Sequence, residues 1–439
     1  MKTIMILGIG PIAIDQSREF HAGGNRAWHF TKPLLDEGFH IILVCMRITR
    51  KENQNLPLIE KREDGNLTYY NVDEQTKFAD NAYLQTLIDT HQPDALIGVC
   101  GYPAARAAAV AGERPLWADI HGYPMGEAQA KAHHYHEPGY IHHFWNFHRD
   151  VLRRADRFSV TSERQRFTLL GELGAMGRLN QHTFCESLVT QIPIAWDPQT
   201  PFNYNLRQKN DPFTVSFSGG YNLWCDVDTL FQGLEQAMAN DNRIHFLSTG
   251  GSIEGHDDKT YPKFQRMVEQ SPYRDRFNLK GWVARHEFEQ CMRAAHLGIN
   301  TDLPCVEAMI GARNRITEWL ARGLPILTTL ATEISQVIFY KGLCLTIPMQ
   351  NPDLLAHEIR VAADHPEKMQ TMAEKARQHF ENAYTYHATT LELLDWCKNP
   401  THSGDFNHPK VRLDYRHPDE IHLPQPKTLF QRLRNKLKG

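Results

Sequence analysis

The chain lacks paired cysteines, a surplus of charge of either sign, and any long apolar run. Its eight cysteines, at positions 45, 100, 185, 225, 291, 305, 344 and 397, are scattered without a Cys-x-x-Cys pair. That spacing argues against zinc ribbons and a disulfide framework, and fits free thiols in a reducing cytoplasm. Forty-eight Lys and Arg against fifty-one Asp and Glu leave a net charge of −3 over 439 residues. There is no global field to draw in a nucleic acid, so a charged partner has to be met locally. No run reaches the roughly 18 apolar residues that a membrane-spanning helix needs. The opening MKTIMILGIGPIAID begins like a signal peptide, but Gly8, Gly10 and Pro11 interrupt it and no small-x-small cleavage site follows. It reads as a first strand.

What is present is alternation. Short apolar runs at 3–7, 40–45, 95–99, 116–120 and 158–161 are separated by longer amphipathic stretches, one of them a helix over 25–37 that stops at Gly38. This is the pattern of an α/β fold with parallel sheets. Residues 196–212 break it with prolines, Asn and Gln, and read as a linker. The alternation then resumes, so two Rossmann-like units facing across a cleft are expected. The expected boundaries are an N-terminal unit over 1–200, a C-terminal unit over 212–380, a helix over 381–398 crossing back to the first unit, and a polar extension over 399–439 in which order is not expected.

Glycines punctuate several strand ends. Gly8-x-Gly10-x-x-Ala13 has the spacing of a dinucleotide fingerprint, but Arg47 stands where an acidic residue belongs, and Pro11 and Ile12 make a poor phosphate turn. An NADP oxidoreductase is therefore the weaker reading; Gly23-Gly24-Asn25 makes a better helix-start loop. In the second half, Ser218-Gly219-Gly220-Tyr221-Asn222 and Thr249-Gly250-Gly251 each follow a strand. Two such turns in register would set free backbone N–H groups along one rim, able to hold a diphosphate. The plainer alternative is that both turns merely start helices.

Residues 314–329, Asn-Arg-Ile-Thr-Glu-Trp-Leu-Ala-Arg-Gly-Leu-Pro-Ile-Leu-Thr-Thr, are the most specific stretch. A helix ends at Gly323 and a buried strand follows Pro325. Arg313, Asn314 and Arg315 at the helix start would meet an anion with guanidinium groups and the helix dipole. Glu318, one turn on, can accept two hydroxyl hydrogen bonds, as a ribose offers. This segment resembles the nucleotide-sugar signature of the GT-B glycosyltransferases, especially glycosyltransferase family 4, in which the glutamate matched by Glu318 contacts the ribose. FNLKGWV at 277–283 and AAHLGIN at 294–300 follow the family order, and the resemblance extends to about residue 395. Ile310 stands where the family has a further Glu. The usual Arg and Lys after the first C-terminal strand are replaced by Asn222 and by Cys225 or Asp226, so Arg313 and Arg315 would take over neutralisation of the diphosphate.

Asp119-Ile120-His121-Gly122 resembles the Asp-x-His-Gly element of the same transferases, whose histidine lies beside the transferred sugar. Asp119 and His121 are thus the catalytic candidates, with a strand-end histidine as the bland alternative. His133, His134, His136, His142, His143 and His148 match no closed metal site, and neighbouring Tyr135, Tyr140, Phe144 and Trp145 suit stacking on sugars better. The basic, narrowly amphipathic segment 426–439 is read either as a rest on an anionic membrane surface or as a solubilising tail.

The resemblance implies a retaining glycosyltransferase, needing no metal or other cofactor, that moves a sugar from a nucleotide-diphosphate sugar to a glycan or lipid-linked acceptor in cell-surface polysaccharide synthesis. It would act in the cytoplasm, peripherally on the inner face of the membrane if the tail binds there. Donor contacts fall on Gly219, Gly220, Asn222, Gly250, Gly251, Arg313, Asn314, Arg315 and Glu318, acceptor-side contacts on Gly23, Gly24 and Asn25. The rivals are an epimerase-like enzyme of the same fold and a non-catalytic nucleotide- or glycan-binding subunit.

Overall fold

Buried apolar runs become two mainly parallel sheets in the computed structural model, which describes residues 2–15, 22–48, 55–202, 204, 208–253 and 255–412. The first sheet contains β1 (Thr3–Ile9), β2 (His40–Arg47), β3 (Ile59–Asp64), β4 (Leu67–Asp73), β5 (Ala95–Val99), β6 (Leu116–Ile120), β7 (Arg157–Val160) and β8 (Val189–Gln191). Its order is β3-β4-β2-β1-β5-β6-β7-β8. Only β3 runs antiparallel, on the edge beside β4. The central strands are buried along their length, as parallel strands covered by helices on both faces must be.

The second sheet holds β9 (Phe213–Ser218), β10 (Ile244–Thr249), β11 (Phe277–Leu279), β12 (Leu297–Asn300), β13 (Ile326–Thr329) and β14 (Leu345–Ile347). All its pairs are parallel, in the order β11-β10-β9-β12-β13-β14. The order reverses at β9 and β12, and loops leaving a sheet at such a switch point diverge and open a crevice at the strand carboxyl ends. Gly219 and Gly220 follow β9, and the loop carrying Asp302 follows β12.

Between the sheets, Trp196 N–H donates to Tyr384 O at 3.0 Å, tying the connector to the far end of the chain. Helix Leu391–Lys398 packs on the first lobe: Leu393, Leu394 and Cys397 share a core with Ile4, Ile6 and Ile97, and Trp396 meets Trp117 edge-on at 5.5 Å. The expectation that order ends at Asn399 fails for 400–412. Asp405 is buried there and pairs with buried Arg178 at 2.7 Å, while Ser403 N–H donates to Asp156 at 3.0 Å. The segment 426–439 lies outside the described residues. Among the described residues no helix is long and apolar enough to cross a membrane.

Candidate active site

A cavity of about 340 Å³ lies between the lobes. The second lobe lines it with Ser218, Gly219, Gly220, Asn222, Thr249, Gly250, Asn314, Arg315 and Glu318, and the first lobe with Ile9, Gly23, Ile48, His121 and Glu127. Helix Asn314–Arg322 explains the placement on the second side. Residues 315, 318 and 322, spaced three and four apart, share one face, while Ile316, Trp319 and Leu320 are buried on the other. Trp319 fits against Gly298, where a Cβ would lie 2.5 Å from its ring. Gly323, at φ 63°, ends the helix in the left-handed conformation that glycine adopts at least cost.

Arg315 faces the Gly219–Gly220 turn. Its Nη2 donates to Gly220 O at 2.7 Å and its guanidinium lies 3.9 Å over the Phe217 ring. Burial, with Arg313 nearby, holds its pKa below the ordinary arginine value. Among the described residues Nη1 is buried without a partner, and so are Ser218 Oγ, Thr249 Oγ1, Asn314 Oδ1 and His121 Nδ1, all on residues that line the cavity. Each orphaned polar atom costs on the order of 1–3 kcal/mol, and five on residues that line one cavity point to a polar ligand there.

Glu318 is nearly buried, and its Oε1 accepts from Arg322 Nε at 3.2 Å and Nη2 at 3.1 Å. Burial raises its pKa and the Arg322 pair opposes the rise. Arg322 is held in turn by Glu289 at 2.7 Å. The hydrogen bonds all fall on Oε1, so Oε2 remains for hydroxyls. Trp282 also lines the cavity, its Nε1 donating to Ser252 O at 2.8 Å. On the first lobe, His121 Nε2 meets the Asn314 amide at 3.2 Å across the lobes. Burial, and next Arg26, push the His121 pKa down to about 4 against the pull of Asp119. His121 is therefore a neutral imidazole at pH 7.

Several sequence-based assignments are corrected. Arg313 lines the cavity, but its guanidinium is spent on Asp302 at 2.8 Å and Glu307 at 2.9 Å, two carboxylates that cancel its charge. The N–H groups of Gly219 and Gly250 are not free: they donate to Thr249 O at 2.7 Å and Gly281 O at 2.6 Å. Gly250 serves instead to let two turns touch, since a Cβ there would lie 2.1 Å from Gly219 O. Among the described residues the N–H of Gly220 has no partner, so it is the amide the turn offers. Gly251 does not line the cavity; its carbonyl accepts from Tyr221 N–H at 3.1 Å.

Asp119 is fully buried away from the cavity, gripped by Arg26 at 2.7 and 3.0 Å and by Ser159 Oγ at 2.7 Å. Asn25 is also buried: it donates to Ala195 O at 2.9 Å and accepts from Tyr386 at 2.6 Å, which ties helix Ala22–Asp36 to the crossover segment. Gly24 packs on the Pro11 carbonyl, leaving Gly23 as the cavity residue of that loop. The arginine that an NADP site would need is not free either: Arg47 is occupied by Pro57 O and by Glu60 at 3.4 Å. Sequence reasoning missed Glu127, Glu307, Trp224 and Trp282. Glu307 sits three residues before Ile310, so an acidic residue displaced from the family position was the available signal.

Comparison with known proteins bears on the fold. A glycosyl transferase-like family model matches residues 232–395. No curated protein sequence matches the chain. Among solved structures, sucrose-phosphate synthase from Thermosynechococcus elongatus is 14% identical, with a TM-score of 0.72 over 91% of this chain and 98% of that one. Anabaena HepE in complex with UDP and glucose is 15% identical, with a TM-score of 0.64 over 91% of this chain and all of its own (100%). An α,α-trehalose-phosphate synthase (UDP-forming) from Burkholderia vietnamiensis is 12% identical, with a TM-score of 0.65 over 91% and 97%. The chain has the GT-B fold of glycosyltransferases. In GT-B terms, the described cavity lies between the two Rossmann-like lobes, and the segment 313–329 lies inside the part matched by the family model.

Proposed function

We propose that the chain is a glycosyltransferase that moves a sugar from a nucleoside-diphosphate sugar to a hydroxyl of a glycan or lipid-linked acceptor. The observation that carries this reading is the set of buried polar atoms on cavity-lining residues that have no partner among the described residues, Arg315 Nη1 among them. The diphosphate would lie against Arg315 and Gly220 N–H, the ribose against Glu318, and the transferred sugar towards His121. HepE, of the same fold, was solved with UDP-glucose, which supports a sugar nucleotide as donor here. As the sugar–phosphate bond breaks, negative charge grows on the diphosphate. A guanidinium and an amide already aimed at that position act without reorganising, which is how such groups lower a barrier. On this reading the two suffice for charge stabilisation without a metal, and the product retains the donor configuration. His121, neutral and short of one hydrogen bond, orients a sugar hydroxyl. A role in cell-surface polysaccharide synthesis, on the inner face of the membrane, belongs to the same proposal.

The test is binding first and turnover second. UDP, GDP, ADP and CMP and their sugars are screened by thermal shift on wild type and Glu318→Ala. At least one nucleotide should raise the melting temperature of wild type, and that nucleotide should bind Glu318→Ala about 10-fold or more weakly. Equal affinity in the two proteins would refute the placement of the ribose.

A further inference from the structure

One carboxyl in the cleft is absorbed by nothing described so far. Glu127 lies on helix Pro124–Tyr135, two turns beyond His121, and lines the same cavity. Its side chain has no hydrogen-bond or ion-pair partner among the described residues, unlike Glu318 and Glu307, which are paired with arginines. Its position is fixed by local packing. Glu127 Oε1 lies over Gly122, where a Cβ would be 2.6 Å away, and the preceding Gly126 brings the helix against Glu307, whose Cα would lie 3.2 Å from a Cβ at 126.

The charged groups facing Glu127 are Glu307 across the lobe gap, Lys131 one turn along its own helix, and Arg313 behind Glu307. Lys131 is turned away to His256 O at 2.9 Å, and Arg313 is already shared by two carboxylates. Burial, and then Glu307, push the Glu127 pKa up to about 7 against those two cations. Near neutrality the carboxyl therefore both donates and accepts, a match to a hydroxyl. The same pair of carboxyls repels a diphosphate, which leaves the charged half of a donor to Arg315 beside the Gly220 turn.

We propose that Glu127 is the residue through which the N-terminal lobe holds the transferred sugar, its carboxyl hydrogen-bonded to a hydroxyl of the glycosyl group at the His121 end of the cleft. This rests on the reading of the cavity as a nucleoside-diphosphate-sugar site. It makes Glu127 a specificity residue: it acts on the sugar and leaves the nucleotide alone. An ionised carboxylate makes the stronger hydrogen bond, so sugar recognition tightens as pH rises through about 7.

The experiment titrates wild type, Glu127→Gln and Glu127→Ala with UDP, UDP-glucose, GDP and GDP-mannose by calorimetry. For each protein it takes the ratio of sugar-nucleotide to free-nucleotide affinity. Nucleotide affinity should be the same in all three proteins. The ratio should fall about 10-fold in Glu127→Ala and less in the isosteric Glu127→Gln, whose melting curve checks that the fold is intact. Between pH 6 and 8 the ratio should rise in wild type and stay flat in Glu127→Gln. An unchanged ratio in Glu127→Ala overturns the proposal while leaving the nucleotide site standing. Failure of all four compounds to bind wild type overturns both readings.

Discussion

Replacing Arg315 by Lys and by Ala separates charge from geometry at the diphosphate position. A phosphate oxygen bonded to Nη1 would sit about 4 Å from the centre of the guanidinium charge. At an effective dielectric constant of about 20, the attraction there is about 4 kcal/mol. Stripping water from the phosphate offsets part of this, and hydrogen bonds to charged groups leave a net of about 1.5–3 kcal/mol. Arg315→Ala should therefore weaken nucleoside-diphosphate binding by about 10- to 150-fold. Arg315→Lys keeps the charge but loses the fork that bonds Gly220 O and the planar stack on Phe217, so it should fall between the two. Calorimetric titration with UDP, UMP and uridine makes the test specific, because the loss should be largest for UDP and absent for uridine. Arg315→Ala binding UDP as tightly as wild type, or losing uridine and UDP in equal measure, would refute the assignment. Melting curves of both variants guard against the trivial explanation, since the stack and the Gly220 bond also support the fold.

Two positions along, Arg313→Ala should act on stability. It strands buried Asp302 and Glu307, and breaking such a pair costs about 3–5 kcal/mol, which urea unfolding would read. His121→Ala should cut turnover while leaving UDP affinity within about twofold. Because the folded pKa of His121 lies at about 4, below the free imidazole value, its contribution to stability is present above about pH 6.5 and is lost as pH falls through 4. In Glu127→Gln, where that carboxyl no longer titrates, the rate profile should accordingly show no limb near pH 6.5, and one there would contradict the buried neutral state. Gly250→Ala, at φ 115° and with a Cβ 2.1 Å from Gly219 O, should deform both turns. It should lower the melting temperature and nucleotide affinity together.

How far the sequence carries is clearest where its own periodicity does the work. Arg315, Glu318 and Gly323 were legible because helix spacing, a glycine stop and a following Pro lie within one short segment. His121 was legible from a strand end four residues long. The misassigned residues owe their roles to partners far away in the chain. Asp119 is held by Arg26, 93 residues earlier, and Asn25 by Tyr386, 361 residues later. Nothing in the local spacing of either residue distinguishes a buried structural contact from a group in the site. The glycine turns failed for a related reason: glycine at a strand end announces close backbone approach, and only the register shows that the neighbouring strand has taken the N–H groups. Strand β3 was missed because Glu60, Lys61, Arg62 and Glu63 give it no apolar face; it is an exposed edge, where charge discourages pairing with another chain.

The same logic explains why Glu127 escaped notice while Glu318 did not. Glu318 stands inside a patterned helix, so its place on the cavity shows in the spacing. Glu127 is one polar residue on a weakly patterned helix, in Pro-Met-Gly-Glu-Ala, and it becomes conspicuous only once the second lobe is laid against it. Gly126 permits that contact by letting helix Pro124–Tyr135 approach Glu307. Lys131 to His256 O, Tyr135 to Asp258 at 3.0 Å and the amides of Glu163 and Arg164 to Glu333 at 3.0 and 2.9 Å hold the lobes on either side of it. A group whose chemistry arises from two lobes meeting leaves no signature in either lobe's sequence. Loosening those contacts should therefore impair sugar recognition before nucleotide binding, because the nucleotide's proposed partners all belong to the second lobe. Glu333→Ala, which removes the acceptor of the Glu163 and Arg164 amides without touching the cavity, should lower the sugar-nucleotide to nucleotide affinity ratio and spare UDP itself. A loss of UDP affinity as large as the loss for UDP-glucose would mean that the second lobe does not hold the nucleotide alone.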